Sequence, residues 1–177
     1  ARSTVTLHVQ RDPDQPVAQF EVDGQRFILN QGEWSPWVRV RFPIVPFLKS
    51  AAGMFRVYAR KLNPEFRLYV SPVNLDPASP ELPISTPPNY SRQLADAVGP
   101  FYTQGIAEDT AALRAGSLTR AEYRRQSTLV ADEQFRLLHH ALSQFHNGVL
   151  FLHFLGVDQD SHVLWGDHED ELLKTYQ

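Results

Sequence analysis

The spacing that could do chemistry in this chain is Asp158-x-x-x-His162, inside the word Asp158-Gln-Asp-Ser-His162. If the backbone turns helical there, a carboxylate and an imidazole four residues apart share one face and reach a common cation. Oxygen and nitrogen donors suit zinc, manganese or iron rather than a thiolate-seeking metal. The plainer account is that Asp158 caps a helix and His162 lies on its surface. The pair follows the apolar run Val149–Leu155, and in open α/β sheets ligands collect beyond the carboxyl ends of the strands.

Other candidates have simpler explanations. His139 and His146, seven apart on a helix, could clamp a metal, but no carboxylate joins them in sequence. Trp34 and Trp37 flank Ser35-Pro36 and could stack a sugar or base, although aromatic residues at a sheet edge commonly pack. Between Val38 and Val70 seven basic residues, Arg39 and Arg41 among them, stand against the single acid Glu65. Strand alternation accounts for most of them as a wet sheet face, and an anion-binding surface is the lesser reading. Asn89-Tyr-Ser91 matches a glycosylation acceptor by letter only. Glu108-Asp109-Thr110 reads as helix capping. Asp167-His168 follows Trp165-Gly166 with no strand before it and is assigned to a solvated loop.

These side chains must be held by something, and the elements are legible. Residues 1–75 alternate with period two, the signal of half-buried strands. Strands are expected at Thr4–Val9, Val17–Val22, Gln25–Leu29, Trp37–Phe42, Phe55–Ala59 and Phe66–Val70. Asp23-Gly24 suits a type I′ hairpin turn, whose central residues both need positive φ, and Asn63-Pro64 marks another turn. Six of the 13 prolines fall between Ser71 and Pro88, too many for a helix or a central strand, so an extended connector is expected. Helices follow at Tyr90–Val98, Asp109–Ala115 and from a capping box at Thr119-Arg-Ala-Glu122 to about His146. The apolar stripe of the long helix is read as Tyr123, Leu129, Val130, Leu137, Leu138, Ala141, Leu142 and Phe145. Val149–Leu155 then has the length and continuity of a strand covered on both sides.

Composition sets the outer limits. The chain has 177 residues, 42% of them hydrophobic and 21% charged, as in a folded globular protein. A net charge of −3 argues against a dedicated nucleic-acid or polybasic membrane binder. The longest apolar run is far too short for a membrane span. With no cysteine, a disulfide scaffold, a thiolate zinc finger, an iron–sulfur cluster and a cysteine nucleophile are excluded. The compartment stays open, because cysteine-free proteins occur on both sides of a membrane. The chain starts at Ala1 and stops within what reads as an opening helix at Glu169–Gln177, so a piece of a longer protein is expected.

Five words in this order resemble one family: Phe66-Arg-Leu-Tyr-Val-Ser-Pro-Val-Asn-Leu-Asp-Pro77, Leu82-Pro-Ile-Ser-Thr-Pro-Pro88, Gly99-Pro-Phe-Tyr-Thr-Gln-Gly105, Glu108-Asp-Thr-Ala-Ala-Leu113 and Asp158-Gln-Asp-Ser-His-Val-Leu-Trp165. Across residues 66–165 the chain resembles the type I phosphodiesterase and nucleotide pyrophosphatase group of the alkaline phosphatase superfamily. Within that group it is similar to bacterial phosphohydrolases carrying an inserted β-rich segment. The resemblance implies an α+β fragment: a β-rich inserted subdomain over 1–75, then a proline-rich connector, helices and one strand of an alkaline-phosphatase-like α/β core over 76–177. It implies a hydrolase with two divalent metals, usually zinc, acting on a phosphate ester or nucleotide substrate. Asp158 and His162 match the Asp-x-x-x-His ligand pair of one metal. The resemblance places a threonine or serine nucleophile before Ala1, and a second Asp-His pair and a further histidine after Gln177. The fragment alone is then expected to be inactive and to bind metal weakly or not at all, with the rest of the parent chain as its partner. A competing class is a non-catalytic module whose sheet, over 1–75, recognises a partner.

Overall fold

A computed structural model describes residues 4–45 and 49–164 of the chain. It is a mixed α+β fold of small antiparallel sheets and a few helices. The chain divides into two compact units, 1–95 and 96–177, and the proline-rich connector groups with the sheet-bearing one.

In the first unit, β1 (Leu7–Arg11), β2 (Val17–Val22) and β3 (Gln25–Asn30) form an antiparallel meander. Asp23 and Gly24 close its hairpin with φ of 49° and 76°, the doubly left-handed backbone that a type I′ turn demands. Ala18, Phe20 and Val22 alternate inward along β2, and Phe20 stacks on its cross-strand partner Phe27 with centroids 5.4 Å apart. Next come β4 (Val38–Val45), β5 (Lys49–Phe55), β6 (Val57–Lys61), β7 (Arg67–Val70) and the short β8 (Asn74–Leu75). β5 lies between β4 and β8, while β6 pairs with β7. Phe20, Val22, Leu29, Val38, Val40 and Val57 meet in one buried cluster. Gly32 and Ser35 donate their backbone N–H groups to Ala59 and Val57, tying the 31–35 turn to β6.

Two differences from expectation lie in this unit. The first strand runs three residues later at its start than the Thr4–Val9 reading. Strand β5 has no forerunner in the sequence reading, because Ala51-Ala52-Gly53 supplies neither β-branched residues nor alternation. What makes it a strand is position: Gly53 pairs with Val40 on one side and Leu75 on the other. Phe55 and Val57 then belong to different strands. Between them Arg56 donates its backbone N–H to Ser71 Oγ at 2.9 Å.

The helices are α1 (Tyr90–Val98), α2 (Thr110–Arg114), α3 (Arg120–Gln144) and α4 (Gly156–Leu164). At the head of α3 the capping box is complete, with Thr119 Oγ1 accepting from the Glu122 N–H and Glu122 Oε2 accepting from the Thr119 N–H at 2.7 Å. The buried face of α3 only partly follows the apolar stripe. Tyr123 and Val130 are buried, but Leu142 and Phe145 are exposed, and Gln126, Ser127 and Glu133 are buried in their place. No helix among the described residues is long and apolar enough to cross a membrane.

The expected strand of an α/β core is corrected. Val149–Leu155 forms no strand and pairs with no described strand, and Val149 and Phe151 are 94% and 84% exposed. A strand covered on both sides needs flanking strands to take its backbone hydrogen bonds, and every strand described lies before residue 76 and is antiparallel. Within the run, Phe154 packs on Phe135 of α3 at 5.4 Å, and the Leu155 carbonyl accepts the Gln159 N–H that opens α4.

Candidate functional site

Helix α4 forms over the segment on which the Asp-x-x-x-His reading depends, with Asp158 in its first turn and His162 in its last. Four residues of α-helix bring the two side chains onto one face. Asp158 Oδ1 and His162 Nε2 lie 3.4 Å apart, on side chains 64% and 75% exposed. Two donors each about 2.0–2.2 Å from a single tetrahedral zinc ion stand roughly 3.4 Å from one another. The donor types and their separation therefore fit one shared divalent ion, and both are open to further ligands. The described residues hold no cluster of three or more such ligands, so this pair supplies two donors only.

The other turn of α4 is anchored inward. Asp160 is buried, and Ser127 of α3 donates its hydroxyl to Asp160 Oδ2 at 2.6 Å. One buried hydrogen bond between side chains of the two helices thus fixes which face of α4 is dry, leaving positions 158 and 162 in solvent. Beside it, Val163 and Leu113 pack on the buried Tyr123.

Glu108 belongs to the same neighbourhood, and capping alone does not explain it. Asp109 is the cap of α2, accepting from the Ala112 N–H at 2.8 Å. Glu108 is only 4% exposed. Burial pushes its carboxyl above the ordinary glutamate range, and the negative charge of Asp160 adds to the shift. Gln126 also faces inward and accepts the Asp109 N–H at 2.9 Å. Glu133 accepts the Tyr102 N–H at 3.1 Å. Sequence reading passed over Ser127, Asp160 and this buried role of Glu108. The signal available was that polar residues 126, 127 and 133 recur at helical spacing within the stripe.

The remaining candidates stay apart from this site. His139, His146 and His153 are exposed. Trp34 packs on Tyr58 and Tyr69 at 4.9 and 5.6 Å. Trp37 lies under the Arg56 guanidinium at 4.7 Å. Arg39 pairs with Asp76 at 3.0 Å, and Lys61 and Arg67 both pair with Glu65, so much of the basic surface is used locally. Ser91 of the Asn-x-Ser triplet is buried in the first turn of α1. Asp167-His168 lies outside the described residues. Compared with known proteins, the chain matches no family model, no curated protein and no solved structure.

Proposed function

We propose that this chain is part of a metal-dependent phosphoric-ester hydrolase of the phosphodiesterase and nucleotide pyrophosphatase type, in which Asp158 and His162 hold one of two catalytic divalent ions. What supports the reading is the 3.4 Å approach of Asp158 Oδ1 to His162 Nε2 on the exposed face of α4, together with the family words around it. A divalent ion there would supply Lewis-acid polarisation of a phosphoryl oxygen. The chain's own part is to present a carboxylate and an imidazole at a fixed separation. Asp158 would bring the carboxylate oxygen and the negative charge that draw the cation. His162 would hold the ion through an imidazole nitrogen, a directional ligand. Asp160 and Ser127 hold the helix so that both point into solvent toward the remaining ligands, nucleophile and substrate. Those groups are proposed to come from the rest of a longer protein, so the 177 residues alone would not turn over substrate.

The test is Asp158→Ala in the longer protein, loaded with zinc. Turnover of bis(p-nitrophenyl) phosphate is expected to fall at least a hundredfold, with metal content dropping from about two ions per chain toward one. Turnover and metal content like those of the unaltered protein would defeat the site assignment, whereas no metal and no turnover in the unaltered longer protein would favour a non-catalytic sheet module over 1–75.

A further inference from the structure

Helix α3 ends at Gln144, and Gly148, with a φ of 98°, takes the left-handed backbone of a chain reversal. By Phe154 the chain is against the same helix again, packed on Phe135, and Leu155 lines a small cavity with Val130 and Leu137. Residues 149–152 therefore run beside the second half of α3. Their exposure alternates, with Val149 at 94%, Leu150 at 37%, Phe151 at 84% and Leu152 at 36%. The helix adds Phe135 and Leu142, and Phe145 at its end adds a further exposed ring. The backbone of residues 149–154 makes no hydrogen bond with a described residue.

At roughly 150–250 Å² for a whole apolar residue, these fractions leave on the order of 700 Å² of apolar surface in water. The largest apolar patch on a monomer is commonly about 300–600 Å², and each side of a standard-size interface contributes about 800 Å². Charge is missing as well: between Arg136 and Asp158 the chain has no lysine, arginine, aspartate or glutamate. A lipid surface favours basic residues flanking the apolar face, and a charged partner would find nothing here to pair with. A second copy needs neither, because across a two-fold axis the same residues serve both sides. Aromatic rings and few charges are also what the core of a protein interface carries. We infer that this face is a self-association surface, on which two copies of the chain close as a two-fold dimer anchored by Phe151. Asp158 and His162 lie outside it, so the dimer and the function proposed above can each fail alone.

The experiment is sedimentation velocity of the 177-residue chain across the micromolar concentration range. A reversible monomer–dimer equilibrium is expected, with amide exchange of residues 149–154 slowing as concentration rises. Phe151→Asp and Val149→Lys should each weaken dimerisation by about tenfold or more. Ile28→Asp, at an exposed apolar residue of β3, should leave it unchanged. Positions 149 and 151 are both more than four-fifths exposed, so circular dichroism should show either variant folded like the parent. A monomer throughout the range, an assembly that grows past two copies, or equal affinity in both variants overturns the inference. The longer protein should form the same dimer; a monomer whose amides over 149–154 are protected at every concentration would mean that the rest of the chain covers the face, and overturns it too. So does a monomeric chain that floats with phosphatidylcholine vesicles.

Discussion

Replacing Ser127 by alanine removes a hydroxyl that donates to Asp160 Oδ2 at 2.6 Å, between two residues each only 4% exposed. A hydrogen bond to a charged group contributes about 1.5–3 kcal/mol, and a buried acceptor stripped of its donor keeps its desolvation cost. No water can easily replace the hydroxyl at a site closed on both sides. The expected loss is therefore about 2 kcal/mol. For a compact unit of roughly 80 residues, 1 kcal/mol moves Tm by about 4–8 °C, so a fall on the order of 10 °C is expected. Urea and thermal denaturation followed by circular dichroism would measure it. Amide exchange across residues 156–164 should speed up in the same variant, because α4 loses its polar tie to α3. Asp160→Asn keeps an acceptor and should cost less. The double variant should fall short of the sum of the two by about 1 kcal/mol, the coupling of a direct contact. A loss below 0.5 kcal/mol for Ser127→Ala, roughly that of an ordinary surface change, or strict additivity in the cycle, would refute the claim that this bond seats the helix.

Two further expectations concern stability. Glu108 has its pKa raised by burial and by Asp160, so the folded chain holds that proton more tightly than the unfolded one. Its contribution is therefore most favourable below the ordinary glutamate range and is lost as pH rises through the raised value. Glu108→Gln should remove that decline, so the gap in urea midpoint between variant and parent should widen from pH 4 toward neutrality; a gap that does not change with pH would show that the carboxyl is not held this way. A Cβ at Gly53 would stand 2.8 Å from Val73 Cγ1 and 2.9 Å from Phe42 Cε2, so Gly53→Ala should destabilise the chain by about 1–3 kcal/mol through overpacking, read as a lower urea midpoint with unchanged m-value. An unaltered midpoint would mean both side chains rotate away freely.

The elements that local chemistry controls were readable in advance. The β2–β3 hairpin follows from alternation and from Asp23-Gly24, and α1 spans Tyr90–Val98 as its spacing predicts. The Thr119–Glu122 box needs no partner beyond its own turn. Elements that depend on neighbours were not readable. The small residues of β5 carry no strand signal, since that strand is held by β4 and β8 on its two edges. Val149–Leu155 has the apolar content of a buried strand, yet content does not supply the adjacent backbone that would pair with it. The buried polar residues of α3 looked solvated because each is satisfied by a group far away in sequence, Ser127 by Asp160 and Glu133 by the Tyr102 amide.

The same division runs through the candidate site. The interval between Asp158 and His162 is written in the chain, and any α-helix there must put both on one face, since helical geometry is local. Which face meets water is not local. It depends on Asp160 finding Ser127, 33 positions earlier, and on Val163 finding Tyr123. Burial and long-range hydrogen bonds choose the orientation of α4, because a helix carries its own backbone bonds and leaves its rotation to side-chain packing.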